Sequence, residues 1–249
     1  MRPVIAVNSI KKRFDGHDVF SDLSFEVNEG DIVAIFGPNG CGKSTILNIL
    51  SGLVQKDGGN FKIDKLGLHK FSYVFQNYRE SLLPWRTNRD NVAFPLELQK
   101  LGKEEISERI HEIEETCGTT LDMDMFPYEM SGGQQQIIAF IRSLATHPQL
   151  LLMDEPFSAL DYETNLILRQ KLQTYHIKHK PTIVVITHDI EEAVHLANKI
   201  IVLSKRPAKI VSLIRNPAPY PRNIDFIASA AFHNVKDKVL VAFKKGAGL

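Results

Sequence analysis

Apolar residues fall along this chain in short runs separated by amphipathic stretches. The runs Val4–Val7, Phe25–Val27, Ile32–Phe36, Phe71–Phe75, Leu150–Met153, Thr182–Ile186 and Ile200–Leu203 are rich in β-branched residues and continuous enough to predict buried strands. Between them, apolar positions return at helical spacing over Lys43–Leu53, Lys103–Cys117, Gln134–Ala145, Tyr162–His179 and Ile190–Ala197. Strand and helix in alternation predict an α/β layer fold with a mostly parallel sheet.

Three regions break the alternation. Asp15-Gly16 lies between two extended stretches and signals a hairpin, so an N-terminal antiparallel β piece is expected before the core. Asn77 to Met130 carries little strand pattern and two helical ones, punctuated by Pro84, Pro95 and Pro127, and predicts a helical lobe inserted into the sheet domain. Pro207, Pro217, Pro219 and Pro221 mark a late loop that leads into an amphipathic helix around Val235–Phe243. The expected organisation is a single domain over 1–249, with its core in 1–76 and 146–213, the lobe in about 77–145, and a C-terminal loop and helix in 214–249. The roughly 35 residues beyond Leu213 are too few for an added regulatory domain.

Composition narrows the class. Hydrophobic residues at 43% and charged residues at 24% are ordinary for a globular chain, and no apolar run approaches the ~18 residues of a membrane span. Thirty Lys and Arg against 29 Asp and Glu leave a net charge of +1, so no broad field draws the chain to nucleic acid or anionic lipid, and any anion site has to be built locally. Cys41 and Cys117 lack metal-ligand spacing; they read as reduced thiols of a cytoplasmic protein, or as one bridge in a secreted one.

A local anion site is present in the motif Gly37-Pro-Asn-Gly-Cys-Gly-Lys-Ser-Thr45, which follows one predicted strand and opens a helix, the context a phosphate-binding P-loop requires. Gly37, Gly40 and Gly42 let the backbone wrap closely with its N–H groups turned inward. Pro38, Asn39 and Cys41 occupy the variable positions, and the place of Cys41 beside phosphate predicts that alkylating it blocks nucleotide binding. Lys43 supplies a mobile charge for the β- and γ-phosphates, Ser44 a ligand for Mg²⁺, and Thr45 a further phosphate contact. The predicted strand Leu150–Met153 ends in Asp154-Glu155, where Asp154 would hold Mg²⁺ through water and Glu155 would polarise an attacking water.

The order of the remaining motifs resembles the ATP-binding cassette (ABC) ATPases, over about Asn8 to Leu213. Ser131-Gly132-Gly133-Gln134 resembles their signature motif, with Met130 where leucine is usual. Ser158-Ala-Leu-Asp161 resembles the D-loop, Thr187-His188-Asp189 the switch histidine, and Gln76 the Q-loop glutamine. The resemblance implies ATP and Mg²⁺, with Ser44, Gln76 and Asp154 about the metal. It makes Glu155 the general base, sets His188 near the γ-phosphate, and has Gln76 sense metal and water. It also implies a head-to-tail dimer in which the Ser131 motif of one copy completes the nucleotide site of another and Asp161 links the two. Phe14 stands where the family carries an adenine-stacking aromatic, with a place in the core as the other reading.

Ser81-Leu-Leu-Pro-Trp85-Arg-Thr87, followed by Asn91-Val-Ala-Phe94, and the segment Val202–Ile210 are similar to importers of the nitrate, sulfonate, taurine, bicarbonate and thiamine-precursor type. Leu82, Leu83 and Trp85 read as a groove for a permease helix, or as core of the lobe. The interval from the P-loop to Gln76 is shorter than is usual in the family, and Gln135-Gln136-Ile137 replaces its more basic stretch. The resemblance implies an ATPase subunit on the cytoplasmic face of the membrane, held peripherally by two permease subunits and served indirectly by an extracytoplasmic solute-binding protein, with no nucleic-acid partner. The other reading is a soluble ABC ATPase that remodels a nucleic-acid or protein complex.

Overall fold

The computed structural model describes residues 3–63, 71–118 and 120–249. Along the chain run β1 (Pro3–Phe14), β2 (His17–Asn28), β3 (Ile32–Phe36), α1 (Lys43–Leu50), β4 (Gly58–Ile63) and β5 (Phe71–Val74). Then come α2 (Tyr78–Ser81), α3 (Asn88–Leu98), α4 (Lys103–Cys117), a 3-10 turn (Pro127–Glu129), α5 (Gly132–Ala145) and β6 (Leu150–Asp154). The chain ends with α6 (Tyr162–His179), β7 (Thr182–Thr187), α7 (Ile190–Leu196), β8 (Lys199–Leu203), β9 (Ile210–Arg215), α8 (Ile224–Ile227) and α9 (Ala230–Ala247). They form two compact units, one of Met1–Lys65 with Thr182–Leu249 and one of Leu66–Pro181.

In the first unit β3 is buried along its whole length and pairs in parallel with β7 on one side and β8 on the other. Its five residues are apolar on both faces, which is why it reads as an unbroken run rather than as an alternation. β9 adds an antiparallel edge to β8. A separate antiparallel sheet in the order β2, β1, β4 confirms the expected N-terminal β piece. Its hairpin turns at Asp15 and Gly16, whose φ values of 47° and 80° are those of a type I′ turn.

Two departures from the sequence pattern stand out in this unit. β1 and β2 are each 12 residues long, and their burial alternates, so that only part of each strand shows a continuous apolar run. β4 and β9 were not foreseen; both are partly exposed edge strands without such a run. The connection at 64–70, part of the short interval before Gln76, lies outside the described residues.

The proline-rich segment after β9 is tied down by Arg222, which is 2% exposed. Its guanidinium donates to the carbonyls of Val194, His195 and Ala197 at the end of α7 (2.9–3.2 Å) and to Ala218 O through Nε and Nη2. These are the carbonyls a helix end leaves without intrahelical partners.

The second unit contains the parallel pair β5 and β6, with α2 to α6. Pro95 lies inside α3, in its last turn, rather than ending a helix. The fully buried Asn91 accepts from Leu83 N and donates to the carbonyls of Leu83, Arg86 and Thr87, which fixes the loop before α3. That loop divides the Leu-Leu-Pro-Trp segment: Leu82 is buried core, whereas Trp85 is 72% exposed. Arg142 reaches from α5 to Ser81 O at 2.7 Å, and Tyr175 of α6 donates to Leu144 O at 3.0 Å. Among the described residues, no helix is long and apolar enough to cross a membrane.

Replacing Arg222 with methionine takes the guanidinium donor from the carbonyls of His195 and Ala197, while Val194 O keeps Asn216 Nδ2, and should lower unfolding stability by about 2–3 kcal/mol, read as a shift in the urea midpoint with the far-ultraviolet spectrum of the folded protein retained.

Candidate functional site

The sequence-predicted residues fall into two groups, one in each unit. In the first, β3 delivers the chain to Gly37 with Phe36 in register with Thr187 and Val202. The loop then turns through Gly40 and Gly42 at φ 74° and 111°. A Cβ on Gly42 would stand 2.4 Å from Val19 Cγ1, so the backbone is pressed against β2 and no larger residue fits. At Gly37 a Cβ would lie 3.0 Å from Leu203 Cβ.

Lys43 is 6% exposed, and its ammonium folds back over the loop, donating to Gly37 O at 3.0 Å and Pro38 O at 3.2 Å. The loop's own carbonyls thus take the place of water around a buried charge. No side chain caps α1 and no acid stands in its first turn, so the positive end of its dipole is not neutralised locally. Ser44 and Thr45 occupy that turn, half-buried. Asn39 is exposed at the tip of the loop.

His188 directly follows β7, and with Phe36, Gly37, Pro38 and Asn39 it lines a cavity of about 370 Å³ bounded also by Phe243 and Ala247 of α9. The backbone on either side of His188 is fixed by Asp189, whose N–H donates to Thr187 Oγ1 and whose carboxylate accepts from Glu191 N. Phe14 is 44% exposed at the end of β1, with Lys12 Nζ 4.7 Å from its ring centre. That exposure removes the core reading and leaves a ring face available for stacking.

The cysteine readings are revised. Cys41 and Cys117 are both free and buried, so the single bridge is excluded. Cys41 is 1% exposed, and burial pushes its thiol pKa up. The side chain is turned beneath Gly37 rather than toward the loop's open side, as the 3.3 Å from a Gly37 Cβ to its Sγ indicates. A buried, protonated thiol is inert to alkylation, so the expected block of nucleotide binding by thiol reagents does not follow.

In the second unit β5 and β6 run in register, Val74 opposite Met153, so Gln76 and Asp154-Glu155 leave the same end of the pair. Gln76 Nε2 donates to Glu155 Oε2 at 3.3 Å. Asp154, 4% exposed, ends a fully buried strand. Glu155 has φ 48°, a left-handed conformation that costs a non-glycine residue about 1–2 kcal/mol. Its carbonyl accepts from Gln136 Nε2 at 3.3 Å, and Gln136 Oε1 accepts from Ala159 N at 3.0 Å. One fully buried amide therefore holds both ends of the turn that carries Glu155.

Sequence reading missed that role for Gln136. The available signal was a polar side chain on the buried face of an amphipathic helix, where a partner is obligatory. Its neighbour Gln135 is also engaged, donating to Pro127 O and Met130 O, so the glutamines that replace a basic stretch brace the lobe from within.

Ser131 caps α5: its Oγ accepts from Gln134 N at 3.3 Å, while Gln134 Oε1 accepts from Ser131 N at 2.9 Å. This reciprocal capping box orients the hydroxyl and leaves Ser131 exposed at the helix start. Gly132 is partly exposed beside it, and a Cβ on Gly133 would come within 3.3 Å of Ala159 O, which sets the signature turn against the segment leading to Asp161. Asp161 caps α6 through Thr164, whose N–H and hydroxyl hold the carboxyl below its usual range.

The geometry is that of a P-loop nucleotide site together with a second, helix-capped donor cluster. A family model for the ABC transporter domain matches residues 20–158. The aliphatic sulfonates import ATP-binding protein of Bacillus cereus is 37% identical over 97% of this chain and 96% of its own length. An uncharacterized ABC transporter ATP-binding protein of Methanocaldococcus jannaschii is 35% identical over 98% and 96%. Among solved structures, a dimeric bacterial ABC transporter cassette superposes with a TM-score of 0.76 at 29% identity, covering 86% of this chain and all of that one. A dimeric post-hydrolysis state of an ATP-binding cassette bound to ADP and Pi gives 0.75 at 28% identity, again over 86% and 100%. The chain belongs to the ABC transporter family, as an ATP-binding and ATP-hydrolysing cassette.

Proposed function

We propose that this chain drives an importer of a small solute of the sulfonate, nitrate, taurine, bicarbonate or thiamine-precursor type. It works as a head-to-tail dimer beneath two permease subunits, peripheral to the cytoplasmic face of the membrane and served by an extracytoplasmic solute-binding protein. The observation that carries the dimer is the exposed cap at Ser131 with Gly132 and Gly133: it is an anion-binding helix start in addition to the P-loop's own cradle, and a second copy gives it a ligand. The full-length likeness to an aliphatic sulfonates import ATP-binding protein supports the direction and solute class. Trp85, exposed on a loop braced by Asn91, supports a docking face on the lobe.

In this reading the N–H groups of Gly37–Thr45 cradle the phosphates of ATP, and Lys43 exchanges its two carbonyl partners for phosphate oxygens. Phe14 stacks on adenine. The donor set of Ser44 hydroxyl, Gln76 amide oxygen and Asp154 carboxylate consists of hard oxygens and fits Mg²⁺, which would supply charge neutralisation at the β- and γ-phosphates. Glu155 takes the proton of the attacking water, and the Gln76 hydrogen bond orients its carboxylate. His188 donates toward the γ-phosphate region. Ser131, Gly132 and Gly133 of the other copy close over the same nucleotide, oriented by Gln134, and Asp161 links the copies. The lobe passes closure and reopening of the dimer to the permeases.

Glu155→Gln should retain ATP binding, lower hydrolysis by at least about 100-fold, and accumulate an ATP-bound dimer on gel filtration; normal turnover would remove Glu155 as the base. Gln136→Glu keeps an acceptor for Ala159 N but sets a carboxylate against the Glu155 carbonyl. It should cut kcat by roughly tenfold or more while leaving KM for ATP nearly unchanged. Ser131→Arg and Lys43→Ala should each be inactive alone and recover ATPase activity when mixed, since a head-to-tail pair then keeps one intact site. A mixture as inactive as its components refutes the shared-site dimer.

A further inference from the structure

Among the described residues outside the nucleotide motifs, one set of imidazole and carboxylate groups converges: Glu112, His147 and His179, whose ligand atoms all lie within 4.8 Å of one another. Glu112 stands on α4, His147 just beyond the end of α5, and His179 is the last residue of α6. His147 Nε2 is 3.2 Å from Glu112 Oε2, and His179 Nε2 is 3.5 Å from Glu112 Oε1. A tetrahedral ion with bonds of about 2.0–2.1 Å spaces its ligand atoms about 3.3–3.4 Å apart, and each imidazole already stands near that distance from its own oxygen of Glu112, with one ligand atom from each residue lying within 4.8 Å of the other two.

The residues that position this group are specific. His147 has φ 48°, a left-handed conformation at a helix end where glycine or asparagine is the ordinary choice, so an imidazole is kept there against a backbone preference. Its N–H is held by Leu144 O at 2.9 Å. The His179 ring stacks on Tyr175 at 4.5 Å, and Tyr175 is anchored through its hydroxyl to Leu144 O, so both histidines refer to the same turn of α5. The side chains of Glu112, His147 and His179 are 29%, 25% and 18% exposed, sheltered but reachable from solvent. Lys178 forms an ion pair with Glu112 Oε1, and its side chain is 55% exposed, free to swing into water when another cation takes that oxygen.

We propose that Glu112, His147 and His179 form a binding site for a transition-metal ion of the zinc(II) class, with water completing the coordination. Two imidazoles and one carboxylate suit Zn²⁺ and its borderline-soft neighbours and disfavour Mg²⁺, so the site is chemically distinct from the one at the nucleotide. The histidines bind through Nε2, each keeping its proton on Nδ1. The ion clamps α4, the end of α5 and the end of α6. Because α5 begins at the Ser131 cap and α6 at the Asp161 cap, the clamp grips the far ends of the two helices that carry those motifs.

The test is Co²⁺ titration of the chelator-treated full chain in excess Mg²⁺, read by visible d–d absorption, with Zn²⁺ competition followed by calorimetry. One Co²⁺ per chain is expected, displaced by Zn²⁺, with affinity at least about tenfold weaker in His147→Gln and His179→Gln and unchanged in the exposed control His17→Gln. Lys178→Gln, at an exposed position, should bind Co²⁺ several-fold more tightly because a competing cation is gone. Circular dichroism of each variant without metal checks that the fold is kept. Equal Co²⁺ affinity in the parent and the folded His147→Gln/His179→Gln double variant, or weaker binding in Lys178→Gln, overturns the site.

Discussion

The closeness of Gly42 to Val19 governs the phosphate loop, because there is no room for a single methyl group between the loop's last turn and the strand beneath it. Close-packed interiors do not yield to such an intrusion, so the loop has one path available to it. The strand order supplies the other half of the constraint. β3 enters the loop as a fully buried strand paired on both sides, and its end is fixed relative to Thr187 on one neighbour and Val202 on the other. From these two boundaries follow the direction of α1, the return of Lys43 onto the loop's carbonyls, and the placing of His188 beside Gly37.

The second unit reaches comparable definition by different means. There the chemical groups sit at helix starts and at the end of a two-strand pair, and they are held by side-chain hydrogen bonds: Ser131 with Gln134, Asp161 with Thr164, Gln76 with Glu155. Such bonds contribute about 1 kcal/mol each to stability, but they remove rotational freedom that a ligand would otherwise have to suppress on binding. A cap that is already formed presents its donors in a fixed direction. Local folding and readiness for an anion are then one property of the same few atoms.

Most of the architecture was legible in the sequence where a residue's role is local. The hairpin at Asp15-Gly16 and the P-loop glycines announce themselves because each depends on φ values within a few residues. β4 and β9 did not, since an edge strand with one side in water has no continuous apolar run to mark it. Leu82 and Trp85 read as one set, either groove or lobe core, although one is core and the other exposed, a division made by Asn91 several residues away. Cys41 was judged by its place in a motif, whereas its reactivity is set by what covers it. Gln136 shows the same limit, because its partners lie on a different stretch of chain.

That glutamine has a further consequence. Its amide nitrogen is committed to residue 155 and its oxygen to residue 159, so it works as a ruler laid across the turn between them. An insertion or deletion inside the interval cannot be absorbed, since a side chain anchored on α5 spans one distance only. The turn is therefore constrained in length by a single side chain, and a chain that changed its spacing would have to give up the glutamine as well.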